Sequence, residues 1–169
     1  DRKQFPEVKQ IVIFGHSGGG QVVQRYALLA KDQPALKANG IRLRYVVANP
    51  SSYAYFNEQR PVAFDHAQCP GFNRWKYGLA DMPVYAGGQT PLQVESAYVK
   101  REVIYLLDKS CEAEAQGAYR LMRGKLYFGY LLRRHPEGVN QRLVEVPGVG
   151  HDGDGMLTSA EGRKALFDQ

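Results

Sequence analysis

Apolar and polar positions along the chain alternate between two periods. Gln10–Phe14 is almost wholly apolar and β-branched, the pattern of a central parallel strand covered on both faces. From Gln21 to about Lys31 the spacing changes to that of a helix. Val22, Val23, Tyr26, Ala27, Leu29 and Ala30 form a stripe, with Gln24, Arg25 and Lys31 expected outside it. Pro34 and Asn39-Gly40 turn the chain back. Ile41–Ala48 alternates and then becomes continuously apolar, predicting a second strand that Asn49-Pro50 ends. The same reading predicts a short helix over Val94–Lys100, a strand over Arg101–Leu107 and a long helix from Glu112 to about Arg134. A strand over Gln141–Val146 follows, then a final helix through Phe167 opened by Thr158-Ser159-Ala160-Glu161, which has the form of a capping box.

Strands alternating with helices specify an α/β fold with a mostly parallel sheet and helices on both faces. The exception is residues 51–94, where five prolines if Pro50 is included and eight aromatic residues occur without a sustained period. An irregular stretch of that length inside one domain is usually functional. It is read here as a lid or cap over the strand ends within a single domain spanning residues 1–169. The alternative is a surface loop whose aromatics pack down on the body.

Chemistry concentrates where strands end. Gly15-His16-Ser17-Gly18-Gly19 lies between the first strand and the first helix, a Gly-x-Ser-x-Gly turn that lifts a serine above the sheet at a helix N-terminus. So sharp a turn predicts positive φ at Ser17, with Gly15 and Gly19 lacking Cβ atoms for steric reasons. Asp108 follows the third strand and His151 the fourth. A serine hydroxyl needs a base, and a histidine base needs an acid to orient it. The set Ser17, His151 and Asp108 therefore reads as a nucleophile, base and acid, with the Gly18 N–H as an oxyanion donor. His16, Tyr53, Tyr55 and Trp75 are the expected substrate contacts, His16 equally serving as packing beside the nucleophile. Asp152 and Asp154 read as turn residues.

The order Ser, Asp, His and the segments Gly15–Gly19 and Val146–His151 resemble the α/β-hydrolase superfamily, with weaker resemblance at Tyr53–Tyr55, Cys69–Gly78 and Ser110–Ala113. The resemblance covers essentially the whole chain. It implies a serine hydrolase that cleaves an ester or amide through an acyl-enzyme, with no cofactor and no metal. It also implies about four strands ahead of the elbow and a second oxyanion donor among them. Here nine residues precede the first strand. The chain thus reads as the C-terminal half of such a fold, whose partner is the other half or a self-associating copy covering the opening strand. A non-catalytic hydrolase-fold binding protein is the competing reading, and a nucleotide-binding α/β unit a third.

Composition adds limits. The net charge of +5 is scattered rather than striped, which argues against a nucleic-acid surface. No apolar run approaches the roughly 20 residues of a membrane span. The apolar, aromatic excursion favours a small-molecule substrate with an apolar part. Cys69 and Cys111 both have polar, loop-like flanks, so a disulfide between them is expected, and with it a secreted or periplasmic location.

Overall fold

Four parallel strands organise the molecule: β1 (Gln10–His16), β2 (Arg42–Ala48), β3 (Glu102–Lys109) and β4 (Gln141–Pro147), hydrogen-bonded in the order β1-β2-β3-β4. The computed structural model describes residues 3–31, 33–109 and 120–168, and the side chains of Asp108 and Lys109 lie outside that description. Parallel neighbours require crossovers. Helices α1 (Gly18–Leu29) and α2 (Gln33–Ala38) join β1 to β2, the excursion and α3 (Pro91–Tyr98) join β2 to β3, and α4, described over Arg120–Arg134, precedes β4. Two short helices, α5 (Gly153–Thr158) and α6 (Ala160–Phe167), complete the chain.

The two-residue period of the strands sorts the core into two layers. Leu43, Tyr45, Val47, Val103 and Tyr105 face α1, α3 and α4, while Val46, Ala48, Ile104, Leu106 and Val146 face Met156, Ala165 and Leu166 of the C-terminal helices. The result is the expected three-layer α/β fold, a parallel sheet with helices on both faces. Close approach of α4 to the sheet depends on Gly124, where a Cβ would lie 2.2 Å from a methyl carbon of Leu107. Arg44 is buried on the second face and ties α6 to the sheet, donating to Glu102 (2.7 Å), to the Ala165 carbonyl (2.9 Å) and to Asp168 (2.5 Å).

Several elements depart from the periodic reading. Along α1, Val23, Ala27, Leu29 and the C-cap Ala30 of the expected stripe are buried, but Gln24 and Arg25 are buried as well and Val22 is 67% exposed. The cause is the excursion, which lies against this helix. An irregular backbone cannot satisfy its own N–H and C=O groups, and α1 supplies partners. Gln24 accepts from Ala54 N and donates to the Tyr127 hydroxyl at 3.1 Å, while Arg25 donates to the carbonyls of Ser52 (2.8 Å) and Lys76 (2.8 Å) and to Ser52 Oγ (3.0 Å). Arg101, also buried, caps the other end of α1 through the carbonyls of Ala27 and Ala30.

Pro34 does not merely end a unit: it occupies the first turn of α2, where its missing N–H costs nothing. Helix α3 starts three residues before the periodic signal, because Thr90 and Gln93 form a reciprocal capping box with Pro91 at the first turn. The C-terminal helix is split. Ser159, rather than Thr158, caps α6 by accepting from Gly162 N at 2.9 Å.

The excursion itself is one short 3-10 turn (Val84–Ala86) among turns and bends. Its first aromatics are core residues. Tyr53, Tyr55 and Phe56 are buried against Tyr127 and Tyr130 of α4, with the Tyr53 and Tyr127 rings stacked at 4.5 Å. Cys69 is an exposed free thiol, and Cys111, the partner expected for it, lies outside the described residues. Among the described residues no helix is long and apolar enough to cross a membrane.

Glu95 of α3 is buried and receives a two-pronged hydrogen bond from Arg134 (2.6 and 2.8 Å) and a contact from His135 Nε2 (2.9 Å), joining α3 to the end of α4. Burial pushes its carboxyl pKa up, but the bonds from Arg134 and His135 outweigh this and hold it below the usual range. The stabilisation is therefore complete above the ordinary carboxylate pKa and is lost as pH falls through the lower folded value. Glu95→Gln should cost about 3 kcal/mol near neutral pH by urea denaturation, with the gap to the wild type narrowing as the pH falls below the ordinary carboxylate range.

Candidate active site

β1 runs two residues past its expected end, through Gly15 and His16, and the chain then reverses into α1 at Ser17. Ser17 has φ 55° and ψ −116°, the positive-φ conformation that the pentapeptide predicts. Such a residue costs on the order of 1–3 kcal/mol and persists only where its surroundings hold it. Its N–H donates to the Ala48 carbonyl at the end of β2 at 2.9 Å, and its carbonyl accepts from Gln21 N at 3.1 Å. Although Ser17 is the N-cap of α1, its side chain makes no capping bond. The hydroxyl is turned elsewhere.

Glycine is required at this elbow, but not entirely where expected. A Cβ on Gly15 would lie 2.3 Å from the Gly19 carbonyl oxygen, so that position admits no side chain. Gly19 itself faces open space. The second steric constraint falls on Gly20, whose Cβ would lie 2.6 Å from the Ala48 carbonyl oxygen.

His151 reaches Ser17 across the sheet ends. After β4 stops at Pro147, Gly148 (φ 73°) and Gly150 (φ 69°) turn the chain, and Asp152 opens α5 by accepting from Asp154 N at 3.0 Å. Held between the glycine turn and the helix start, His151 places Nε2 3.0 Å from Ser17 Oγ. Asp152 is thus a helix cap and Asp154 lies in the first turn of α5, where the sequence reading has both as turn residues.

His16 packs against this pair. Its ring centroid is 4.5 Å from that of His151, tilted by 35°, and it rests over Gly153, where a Cβ would come within 3.2 Å of His16 Nδ1. Burial first, then the positive potential of His151 and Arg120, lowers the pKa of His16, with Asp152 opposing. The His16 Nε2 atom is buried without a hydrogen-bond partner among the described residues. Gly18 begins α1, so its N–H belongs to the first turn, whose amides have no intrahelical acceptor.

Asp108 does not sit in a loop. β3 continues through Lys109, and Asp108 pairs in register with Val146 of β4. Its side chain and residues 110–119 lie outside the described residues. Trp75 is half-buried and lines a groove of about 520 Å³ that starts at Gly18 and runs along α1 past Val22. Tyr53 and Tyr55 are separated from the serine. Both belong to the aromatic core and form part of the wall of a cavity of about 610 Å³ that neither Ser17 nor His151 lines. The two hollows flank Gln21, one helical turn after Ser17, which bonds Ser51 Oγ at 2.7 Å. Gln21, Arg60 and Arg123, which shape this neighbourhood, carry no sequence signal: each is a polar residue in an unremarkable setting until the excursion is placed.

Comparison with known proteins supports the fold. The chain is similar to the crystal structure of LpqC, a poly(3-hydroxybutyrate) depolymerase from Bordetella parapertussis, with a TM-score of 0.63 and 22% sequence identity over 95% of this chain and 50% of that one. The chain thus spans about half the length of that protein. No protein-family model and no curated protein matches it.

The steric pattern at the elbow predicts a specific order of tolerance. Gly15→Ala and Gly20→Ala should each lower stability by about 2 kcal/mol or more, because backbone carbonyls block the new methyl group. Gly19→Ala should change stability by less than about 1 kcal/mol, since its Cβ meets nothing and alanine favours the helix. Chemical denaturation of the three variants tests this, and a Gly19→Ala loss equal to that of Gly20→Ala would refute the assignment.

Proposed function

We propose that this chain is a serine hydrolase that cleaves an ester or amide bond through an acyl-enzyme, with Ser17 as nucleophile and His151 as general base. The observation that carries the reading is the 3.0 Å approach of His151 Nε2 to the hydroxyl of a positive-φ serine at a strand-to-helix elbow. In the reaction His151 removes the proton as Ser17 Oγ attacks the carbonyl carbon, then delivers it to the leaving group. Water, activated by the same imidazole, releases the acyl group. The Gly18 N–H, at the positive end of α1, donates to the developing oxyanion, a contact worth roughly 10²–10³ in turnover in related sites.

Asp108 is the proposed acid. Its backbone pairs with Val146, five residues before His151, so both belong to the same end of the β3–β4 pair. His16 stays neutral beside the imidazole, and Trp75 is proposed as a substrate contact in the groove at Gly18. The segment after the buried Tyr53–Phe56 run serves as the cap. An ester is favoured over an amide because the similar solved structure is described as a polyester depolymerase.

A fluorophosphonate probe tests the reading. It should form an adduct on Ser17 that Ser17→Ala abolishes, and His151→Ala should lower both labelling and hydrolysis of a p-nitrophenyl ester by at least about 10³-fold without changing thermal stability. Absence of an adduct, under conditions where a control hydrolase labels, would overturn it in favour of a binding protein that retains the elbow as architecture.

A further inference from the structure

The cavity of about 610 Å³ beside Ser51 is outside the nucleophile–base pair and has an unusual lining. Its walls are aromatic, from Tyr55, Phe64, Phe72 and Tyr77. Two guanidinium groups, Arg60 and Arg123, border it, and no carboxylate among the described residues does. Arg60 lies over the Tyr55 and Phe72 rings, 4.5 and 5.1 Å from their centroids. It donates to the carbonyls of Asn57 (2.7 Å), Phe72 (2.8 Å) and Tyr77 (3.2 Å). These neutral acceptors hold the group in place without cancelling its charge. Arg123 donates to the Ser51 carbonyl at 2.7 Å, and neither arginine has an ion pair among the described residues.

An apolar hollow whose charged edge groups, among the described residues, are both cations selects its occupant by charge complementarity. A neutral ligand would leave two guanidiniums facing low-dielectric surface, and a cation would be repelled. A carboxylate on an apolar body suits both parts: the body covers ring faces, and the carboxylate receives charge-assisted bonds from a planar fork. The end at Ser51 is also the end nearest the nucleophile, since Ser51 Oγ accepts from Gln21, whose N–H bonds the Ser17 carbonyl.

We propose that this cavity binds an amphipathic carboxylate, with its apolar body among Tyr55, Phe64 and Phe72 and its carboxylate at Arg123. The proposal rests on the serine-hydrolase reading for its further consequence, that the preferred substrates are esters whose apolar part bears a free carboxylate.

The test is a titration of the Ser17→Ala protein, which cannot turn over, with 4-phenylbutanoate and with its uncharged amide. The carboxylate should bind at least about 10-fold more tightly, the advantage of a charge-assisted over a neutral contact. Arg123→Gln, a change at an exposed helix position, should abolish the preference. Gly71→Trp should abolish binding of both, because a Cβ at Gly71 meets nothing and the indole would fill the hollow. Equal affinity for acid and amide, no saturable binding, or a preference that survives Arg123→Gln would each overturn the proposal. Fluorophosphonate labelling of the unsubstituted protein, read beside the titration of the Ser17→Ala protein, separates the two ideas. Adduct at Ser17 with failed carboxylate binding rejects the cavity assignment alone, and binding without adduct rejects the hydrolase reading.

Discussion

The Ala48 carbonyl is the pivot of this molecule. It closes β2, accepts the Ser17 N–H and stands where any side chain on Gly20 would go. The turn between β1 and α1 must therefore be tight, and the serine at its tip must take a backbone conformation that a free chain avoids. The parallel β1–β2 ladder, in register from Gln10 with Arg42 to His16 with Ala48, makes the strain sustainable, because relaxing Ser17 would mean breaking the ladder's end. A rigidly presented hydroxyl follows, and it needs only a base to be useful.

The imidazole of His151 reaches that hydroxyl from the far end of the sheet by a different device. Two positive-φ glycines and an aspartate cap leave His151 little freedom, and the ring of His16 packs against it. Burial, and after it the neighbouring positive potential, lowers the pKa of His16.

The irregular excursion shows how polar residues can organise a largely apolar body. Its backbone has no ladder of its own, so Gln24 and Arg25 of α1, together with Arg60 within the excursion, supply the missing partners. Burial lowers the pKa of Arg25, with nearby tyrosines opposing the shift. Its bonds are to carbonyls and a hydroxyl rather than to a carboxylate, so it works as a multi-pronged donor. Charges placed this way leave the surrounding hollows electropositive while their surfaces stay aromatic.

The strands, their parallel direction and the elbow were legible in the sequence because they depend on local rules. Continuous apolar runs specify covered strands, and the Gly15–Gly19 spacing specifies a turn that few residue types can make. The position of His151 after β4 was likewise legible, since strand ends in a parallel sheet converge. What α1 buries was not. Gln24 and Arg25 look like solvent-facing residues until a segment some 30 to 50 residues away lies on them, and Val22 looks like core until the same segment fails to cover it. Whether Gly19 or Gly20 is the sterically required glycine depended on the Ala48 carbonyl, a contact made across two strands. The extension of β3 through Asp108 likewise came from pairing with β4 rather than from its own composition. Periodicity along the chain thus determined which elements form, and long-range hydrogen bonding, which no local period encodes, decided which of their faces and termini are buried.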